Sequence, residues 1–369
     1  MARIAFLTER LLQGWGVDHV VHRVADGLGR AGHAVEVICL RADSSHEYHA
    51  YTVRLLEVPR ELDAAGLEDA VAARGRVLVQ RPCDLYVACM YPFHAVASRL
   101  GLPFVYWEFG VVDPVGVPRE LRRLLERLRR TNRRHQRAAR RVVAISRFLA
   151  ETQVDVRCRD RTDVVHLGAD GYGPPPDERA VRALRARLGL EDAEVVGYVG
   201  RIERATYKGV DDLLEIGRAV RARRPRARLL LVGHLDAAAR GSFADLPGVV
   251  VYPDPPSSEM PLLLQAMDVG VSATRWEGFN LPLAELQHAG RPVVAYRVGA
   301  HPEVVGPGSR LVEAQGDFVD AVCSLLEDPE ARRRGGNDAQ AFASRFTWAA
   351  TTAGMAESLR RAAPRADWR

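Results

Sequence analysis

Residues 3–40 begin with Arg3-Ile4-Ala5-Phe6-Leu7, turn through Gly14-Trp15-Gly16-Val17-Asp18, and end with Val35-Glu36-Val37-Ile38-Cys39-Leu40. The first run is apolar without alternation, the pattern of a strand covered on both faces. After the glycine turn, Val20, Val21, Val24, Ala25 and Leu28 recur at helical spacing, and Gly29-Arg30-Ala31-Gly32-His33 punctuates the end of that helix. Strand, helix and strand in so short a span predict a βαβ unit and with it a parallel sheet.

Outward from this unit the alternation continues. Apolar runs at Asp84 to Cys89, Pro103 to Trp107, Arg141 to Ile145 and Val164 to Leu167 read as further strands of one doubly wound sheet. Gly168-Ala169-Asp170-Gly171-Tyr172-Gly173-Pro174-Pro175-Pro176-Asp177 has no periodicity and concentrates Gly and Pro near mid-chain, as an interdomain linker does. A second series follows at Val195 to Val199, Arg228 to Val232, Val249 to Tyr252, Val269 to Ser272 and Pro292 to Tyr296. The expected class is α/β, with two doubly wound, Rossmann-like domains facing across a cleft. The expected boundaries are 1–170, a linker at 171–177, 178–346, and a helical tail at 347–369 whose last positions fray. Open α/β sheets take ligands outside the carboxyl ends of their strands.

A chain of 369 residues suits two domains. With 47% hydrophobic and 27% charged residues, collagen-like and wholly disordered classes are excluded. No apolar run reaches the ~18 residues of a membrane span. The start, Met-Ala-Arg-Ile-Ala-Phe-Leu-Thr-Glu-Arg, is too short and too soon charged for a signal peptide. Five scattered cysteines (Cys39, Cys83, Cys89, Cys158, Cys323) form no Cys-x-x-Cys pair, hence neither a disulfide framework nor a zinc site, and fit a reducing cytoplasm. The net charge of +5 is mild, but Lys208 is the one lysine among 52 basic residues. In a chain that writes arginine for positive charge, that exception suits a site needing a compact ammonium instead of a planar guanidinium.

Two stretches carry chemistry. Trp276-Glu277-Gly278-Phe279-Asn280-Leu281-Pro282-Leu283-Ala284-Glu285-Leu286-Gln287-His288-Ala289-Gly290 reads as a loop feeding a short helix. Asn280 is placed to cap it, Pro282 fits its first turn and Gly290 its exit. Such a helix start offers free N–H groups to an anion, and Glu277 just before it makes sense beside sugar hydroxyls. In Val195-Val196-Gly197-Tyr198-Val199-Gly200-Arg201 and Lys208-Gly209-Val210-Asp211-Asp212, Arg201 follows a strand end and Lys208 precedes a helix. Two cations framing one loop suit a diphosphate.

Together these stretches resemble the retaining glycosyltransferases of family 4, which have the GT-B fold. Pro292-Val293-Val294-Ala295, Val298-Gly299-Ala300-His301-Pro302-Glu303-Val304-Val305, Val143-Ala144-Ile145-Ser146 and Val165-His166-Leu167-Gly168-Ala169-Asp170 extend the likeness over most of the chain. The resemblance implies that Arg201 and Lys208 bind the diphosphate of a nucleotide-sugar donor, and that Glu277 contacts the transferred sugar. It implies that Gly278, Phe279, Asn280 and Leu281 meet sugar and phosphate through their backbone, that Glu285 binds the ribose, and that the Gly14–Gly16 turn reaches toward the phosphates. It implies front-side transfer with retention, with no metal and no other cofactor; the chain has no Asp-x-Asp. Tyr252-Pro253-Asp254 falls where the family meets the nucleobase. The chain departs from the family at Trp107-Glu108-Phe109-Gly110, where Phe109 replaces a histidine near the acceptor and Glu108 stands beside it. Asn280 stands where a small residue is usual. His94, after Tyr91-Pro92-Phe93, is a second acceptor-side candidate, read also as a structural histidine.

Residues 119–141 contain eleven arginines and two glutamates, with Leu121, Leu124, Leu125 and Leu128 at helical spacing. The segment is expected to form an amphipathic helix with a basic outer face, either solvated or lying on an anionic membrane at the cytoplasmic side. No aromatic residue interleaves the arginines, so nucleic acid is not expected. Other readings are a GT-B sugar-nucleotide epimerase or sugar-phosphate synthase, an arginine-driven binding module, and a dinucleotide oxidoreductase. The last is weakened because the first turn lacks the third glycine of Gly-x-Gly-x-x-Gly.

Overall fold

The unalternating apolar runs become the central strands of two parallel sheets. A computed structural model describes residues 1–12, 14–43, 49–59, 63–80, 82–112, 119–235, 237–243 and 246–368. The chain divides into two compact units, Met1–Leu167 with Trp348–Arg369, and Gly168–Thr347.

The first unit runs β1 (Arg3–Leu7), β2 (Arg10–Leu11), α1 (Gly16–Arg30), β3 (Ala34–Cys39), β4 (Arg41–Ala42), β5 (Thr52–Leu55), α2 (Ala64–Gln80), β6 (Leu85–Ala88), α3 (Phe93–Arg99), β7 (Phe104–Glu108), α4 (Arg119–Ala138), β8 (Arg141–Ala144), α5 (Arg147–Thr152) and β9 (Thr162–Val164). Its sheet has seven parallel strands in the order β5-β3-β1-β6-β7-β8-β9, with β2 and β4 paired separately. Order reverses between β1 and β6, so the loops after those two strands flank this sheet's switch point. Ile4 to Leu7 are wholly buried, the Ile4, Phe6 and Leu7 side chains contributing about 1.5–3 kcal/mol each. The strand expected at Val164 to Leu167 lies earlier. After Val165 N–H donates to Ala144 O (2.9 Å) the chain leaves the sheet, and His166 O accepts from Thr351 Oγ1 (2.8 Å).

The second unit runs α6 (Glu178–Arg187), β10 (Glu194–Val199), α7 (Val210–Arg223), β11 (Ala227–Gly233), β12 (Val249–Pro253), α8 (Met260–Ala266), β13 (Val269–Ser272), α9 (Leu281–His288), β14 (Val293–Tyr296), α10 (His301–Val304), β15 (Arg310–Val312), α11 (Gln315–Glu327) and α12 (Pro329–Ala343). Its six parallel strands are ordered β12-β11-β10-β13-β14-β15, with the switch point between β10 and β13. In the expected linker, Asp177 caps α6 by accepting from Arg179 N–H at 2.6 Å.

The last helix, α13 (Trp348–Ala362), returns to the first unit. Met355 and Leu359 are wholly buried, and Trp348 meets His19 of α1 edge-on at 5.3 Å. The end expected to fray is tied down: Trp368 Nε1 donates to Ala363 O (2.8 Å) and the Met1 ammonium pairs with Asp367 (2.7 Å).

Candidate functional site

β10 and β13 bracket the switch point of the second sheet, and the chain leaves each of them into one of the two stretches singled out above. After β10, Tyr198 donates from its hydroxyl to Arg201 O at 2.9 Å and fixes the turn. Arg201 then points its guanidinium at two partners, Glu203 Oε1 (3.0 Å from Nη1) and the Tyr207 hydroxyl (3.5 Å from Nη2). The Lys208 ammonium lies 5.1 Å from the centroid of the Tyr207 ring. The two cations expected to frame one loop therefore both approach Tyr207, one at its hydroxyl and one at its ring.

The two stretches are joined by main chain. Tyr207 O accepts from Arg275 N–H (2.8 Å) and Thr274 Oγ1 (3.0 Å). Gly209 sits at φ +69°, and a Cβ there would lie 2.1 Å from Ala273 O. Only glycine lets these two backbones meet. The close approach brings Lys208 Nζ to 2.6 Å from Glu277 Oε1, across 69 positions of sequence. Both side chains are largely buried, at 20% and 13% exposure. Burial works against the Lys208 charge, but the Glu277 carboxylate, by charge and hydrogen bond, together with the Tyr207 and Tyr198 hydroxyls raises the amine above its ordinary range. Lys208 is therefore a permanent, partly desolvated cation beside Arg201.

Past Glu277, the turn delivers α9. Phe279 is 2% exposed and packs edge-on against Phe346 at 5.4 Å, so this residue offers a ligand its backbone only. Pro282 lies in the first turn and Gly290, at φ +74°, follows the helix end, as expected. Asn280 differs from expectation. It is the cap residue, but its side chain makes no capping bond. Its backbone is left-handed (φ +70°), which carries the amide away from the α9 N–H groups and into the interior. Glu285, midway along α9, is 6% exposed. Tyr252, expected near a base, is engaged by Arg187 (3.1 Å) and Glu259, while Asp254 pairs with His234 at 2.7 Å.

In the first unit, the Gly14–Gly16 turn enters α1. Gly14 has φ +84°, and a Cβ on either glycine would meet nothing within 4 Å, so the turn is open. Asp18 anchors it, accepting from Leu12 N–H (3.0 Å) and Arg10 Nε (3.2 Å); burial pushes its carboxyl up to about 6. Asp18 carries no assigned role in the sequence pattern of the turn; its place in the first turn of α1 is the local signal for this anchor. Tyr198, Tyr207 and Thr274 were also missed, since their contribution is to hold others.

His94 stacks on Tyr106 (3.9 Å, 12°), its Nε2 is 3.0 Å from Ala88 O, and burial draws its pKa down to about 3. That is the placement of a structural histidine rather than one presented to an acceptor. Glu108 is 3% exposed; Oε1 accepts from Gly110 N–H (2.7 Å) and Oε2 from Gln136 Nε2 (2.6 Å), which ties the loop after β7 to α4. Burial outweighs these donors and pushes the carboxyl up from 4.5 to about 7. Between those values the folded chain holds a proton the unfolded chain has released. The stability this group contributes is present below about pH 4.5 and lost as pH rises through 7, a change of about 3 kcal/mol. Glu108→Gln is expected to flatten the slope of urea-unfolding free energy between about pH 5 and 8; an unchanged slope would place the titration elsewhere.

The leucines of α4 depart from a buried stripe. Leu121 and Leu124 are 43% and 52% exposed, whereas Gln136 at the other end is wholly buried. Among the described residues no cluster of three or more His, Cys, Asp or Glu is placed to hold a metal ion, and no helix is long and apolar enough to cross a membrane.

Residues 15–170 match the family described as Glycosyltransferase Family 4, and residues 193–328 match Glycosyl transferases group 1. The D-inositol 3-phosphate glycosyltransferase of Segniliparus rotundus is 33% identical over 251 residues, covering 60% of this chain and 53% of that protein. The chain spans about half the length of the curated relatives it matches. Anabaena Alr3699/HepE, solved in complex with UDP and glucose, superposes with a TM-score of 0.80 at 20% identity, covering 97% of this chain and 99% of that one. Sucrose-phosphate synthase from Thermosynechococcus elongatus gives 0.77 at 20% identity, covering 98% and 99%. At these identities the likeness to solved structures is one of fold.

Proposed function

Because the chain belongs to the family-4 glycosyltransferases and has their GT-B fold of two Rossmann-like domains, we propose that it moves a sugar from a nucleotide-sugar donor to an acceptor hydroxyl, with retention and without a metal or other cofactor. The observation that carries this reading is the Lys208–Glu277 pair beside Arg201 at the second sheet's switch point. As the bond to the leaving group breaks, charge grows on the donor's diphosphate, and two fixed cations in a partly dry site lower that barrier. A diphosphate beside Lys208 draws the ammonium from Glu277, freeing that carboxylate to accept from sugar hydroxyls. The turn at 278–281 adds main-chain N–H groups at the α9 start, and Glu285 takes the ribose. The acceptor proton passes to a donor phosphate oxygen in front-side displacement. A uracil nucleotide is the first donor to try, since the Anabaena protein is solved with UDP. A phosphorylated polyol is the first acceptor, following the activity in the Segniliparus relative's name.

The test is a thermal-shift screen of the full chain against UDP, GDP, ADP, dTDP and the dinucleotides NAD and NADP. A ligand that binds only the folded state stabilises it by about 2.7 kcal/mol at 100 times its dissociation constant. One nucleotide standing out supports the donor site; a response to NAD or NADP alone would overturn it. Dependence of turnover on a separate acceptor distinguishes transfer from epimerisation.

A second reading concerns α4, favoured by its exposed Leu121 and Leu124 among arginines. Apolar side chains framed by cations suit an anionic membrane surface, each arginine adding about 1 kcal/mol near it. This peripheral contact would bring the enzyme to a lipid-linked acceptor. Changing Arg122, Arg123, Arg127 and Arg130 to Gln is expected to weaken co-sedimentation with phosphatidylserine vesicles more than about a hundredfold. Wild-type protein that ignores such vesicles would end the reading.

A further inference from the structure

Asn280 has a backbone and a side chain that local rules do not explain together. It is one of three non-glycine residues at positive φ among the described residues. Glycine adopts that conformation freely and asparagine at a cost. Its amide is buried and leaves the helix it precedes uncapped. Nδ2 lies instead 3.1 Å from Ser272 Oγ and 2.8 Å from His301 Nε2.

His301 is wholly buried, and its Nδ1 lies 2.6 Å from Tyr296 O. A carbonyl only accepts, so Nδ1 carries the proton and Nε2 keeps its lone pair. That lone pair is what the Asn280 amide, a pure donor at Nδ2, requires. Burial draws the imidazole below its ordinary pKa and keeps this form neutral. The same segment grips the other end of the turn. Ala300 N–H donates to Glu277 O at 3.0 Å, and a Cβ on Gly299 would lie 2.2 Å from that oxygen.

We propose that His301 is a positioning residue: acting through Asn280, it locks the left-handed turn that aims the 278–281 amides and the Glu277 carboxylate. What the turn aims at rests on the glycosyltransferase reading; how the turn is held does not. Asn280 and His301 then work as one unit. Removing His301 alone strands a buried donor, which costs more than losing a bond. Removing both leaves a glycine turn that needs no partner.

A double-mutant cycle on the full chain tests this, with Asn280→Gly, His301→Leu and the pair. Two readouts are taken: amide hydrogen exchange in peptides spanning 277–284, and the KM and kcat for the donor found in the nucleotide screen. His301→Leu is expected to speed exchange about tenfold and raise donor KM. Asn280→Gly frees the turn and leaves the His301 Nε2 lone pair without its donor, so it is expected to show a smaller rise in exchange and donor KM of its own, and the pair returns the larger His301→Leu loss to about that level. A His301→Leu defect that Asn280→Gly does not rescue means the imidazole merely fills space, and overturns the proposal. Should His301→Leu fail to fold, recovery of folding by the added glycine supports the coupling and its absence overturns it. Coupled exchange in a chain with no transfer activity sinks the glycosyltransferase reading and upholds the lock; transfer without coupling does the reverse.

Discussion

Lys208→Ala is expected to abolish the thermal shift produced by the matching nucleoside diphosphate and to slow transfer about a hundredfold to a thousandfold. That is the range for removing one fixed donor from developing oxyanion charge. The same substitution strands Glu277 at 13% exposure, an uncompensated charge that destabilises by roughly 1–3 kcal/mol after allowance for its residual contact with water. A fall in activity could therefore reflect a weakened fold. Lys208→Ala with Glu277→Gln separates the two, because neutralising the stranded carboxylate restores stability but supplies no cation. Urea unfolding is expected to recover in the double variant while the shift with the nucleoside diphosphate, which carries no sugar for Glu277 to meet, does not. Wild-type turnover or an intact shift in Lys208→Ala would sink the diphosphate role. Lys208→Arg is expected to keep part of the shift and lose turnover, because a planar fork replaces a compact ammonium beside Tyr207.

Gly209→Ala should be strongly destabilising for one added methyl. The residue sits at φ +69°, where a side chain costs about 1–2 kcal/mol, and the added Cβ would stand 2.1 Å from Ala273 O. Neither atom belongs to a flexible side chain, so the strain falls on backbone and adds about 1–3 kcal/mol. Relief requires parting the loop before α7 from the loop after β13, which pulls Lys208 from Glu277. Unfolding free energy is expected to drop by about 3 kcal/mol, with nucleotide binding lost even where the chain stays folded. A Gly209→Ala protein with wild-type unfolding and binding would show that the two loops are free to separate, and that the pair does not depend on their contact.

Much of this architecture was legible in consecutive residues. Apolar runs such as Ile4 to Leu7 and Val269 to Ser272 are local signals, and each became a buried parallel strand. Pro282 and Gly290 marked the ends of α9 because helix entry and exit restrict backbone over a few residues. Lys208 drew attention by composition alone, in a chain otherwise written with arginine. Where the reading differed from the outcome, partner choice lay far away in sequence. Asn280 looked like a cap because caps are local, yet its amide faces His301, 21 positions on, a partner that exists only after β14 and α10 fold beside it. His94 had an open role until Tyr106 closed over its ring. The leucines of α4 had helical spacing whether or not anything covered them, and Leu121 and Leu124 stay exposed. The final helix gave no sign that it would cross back to α1. Periodicity is a property of neighbours along the chain and sets which elements form. Which side chains meet, which charges are desolvated and which glycines admit a second backbone are set by contacts such as Lys208 with Glu277 and Gly209 with Ala273, which come into being only when distant strands stack into one sheet.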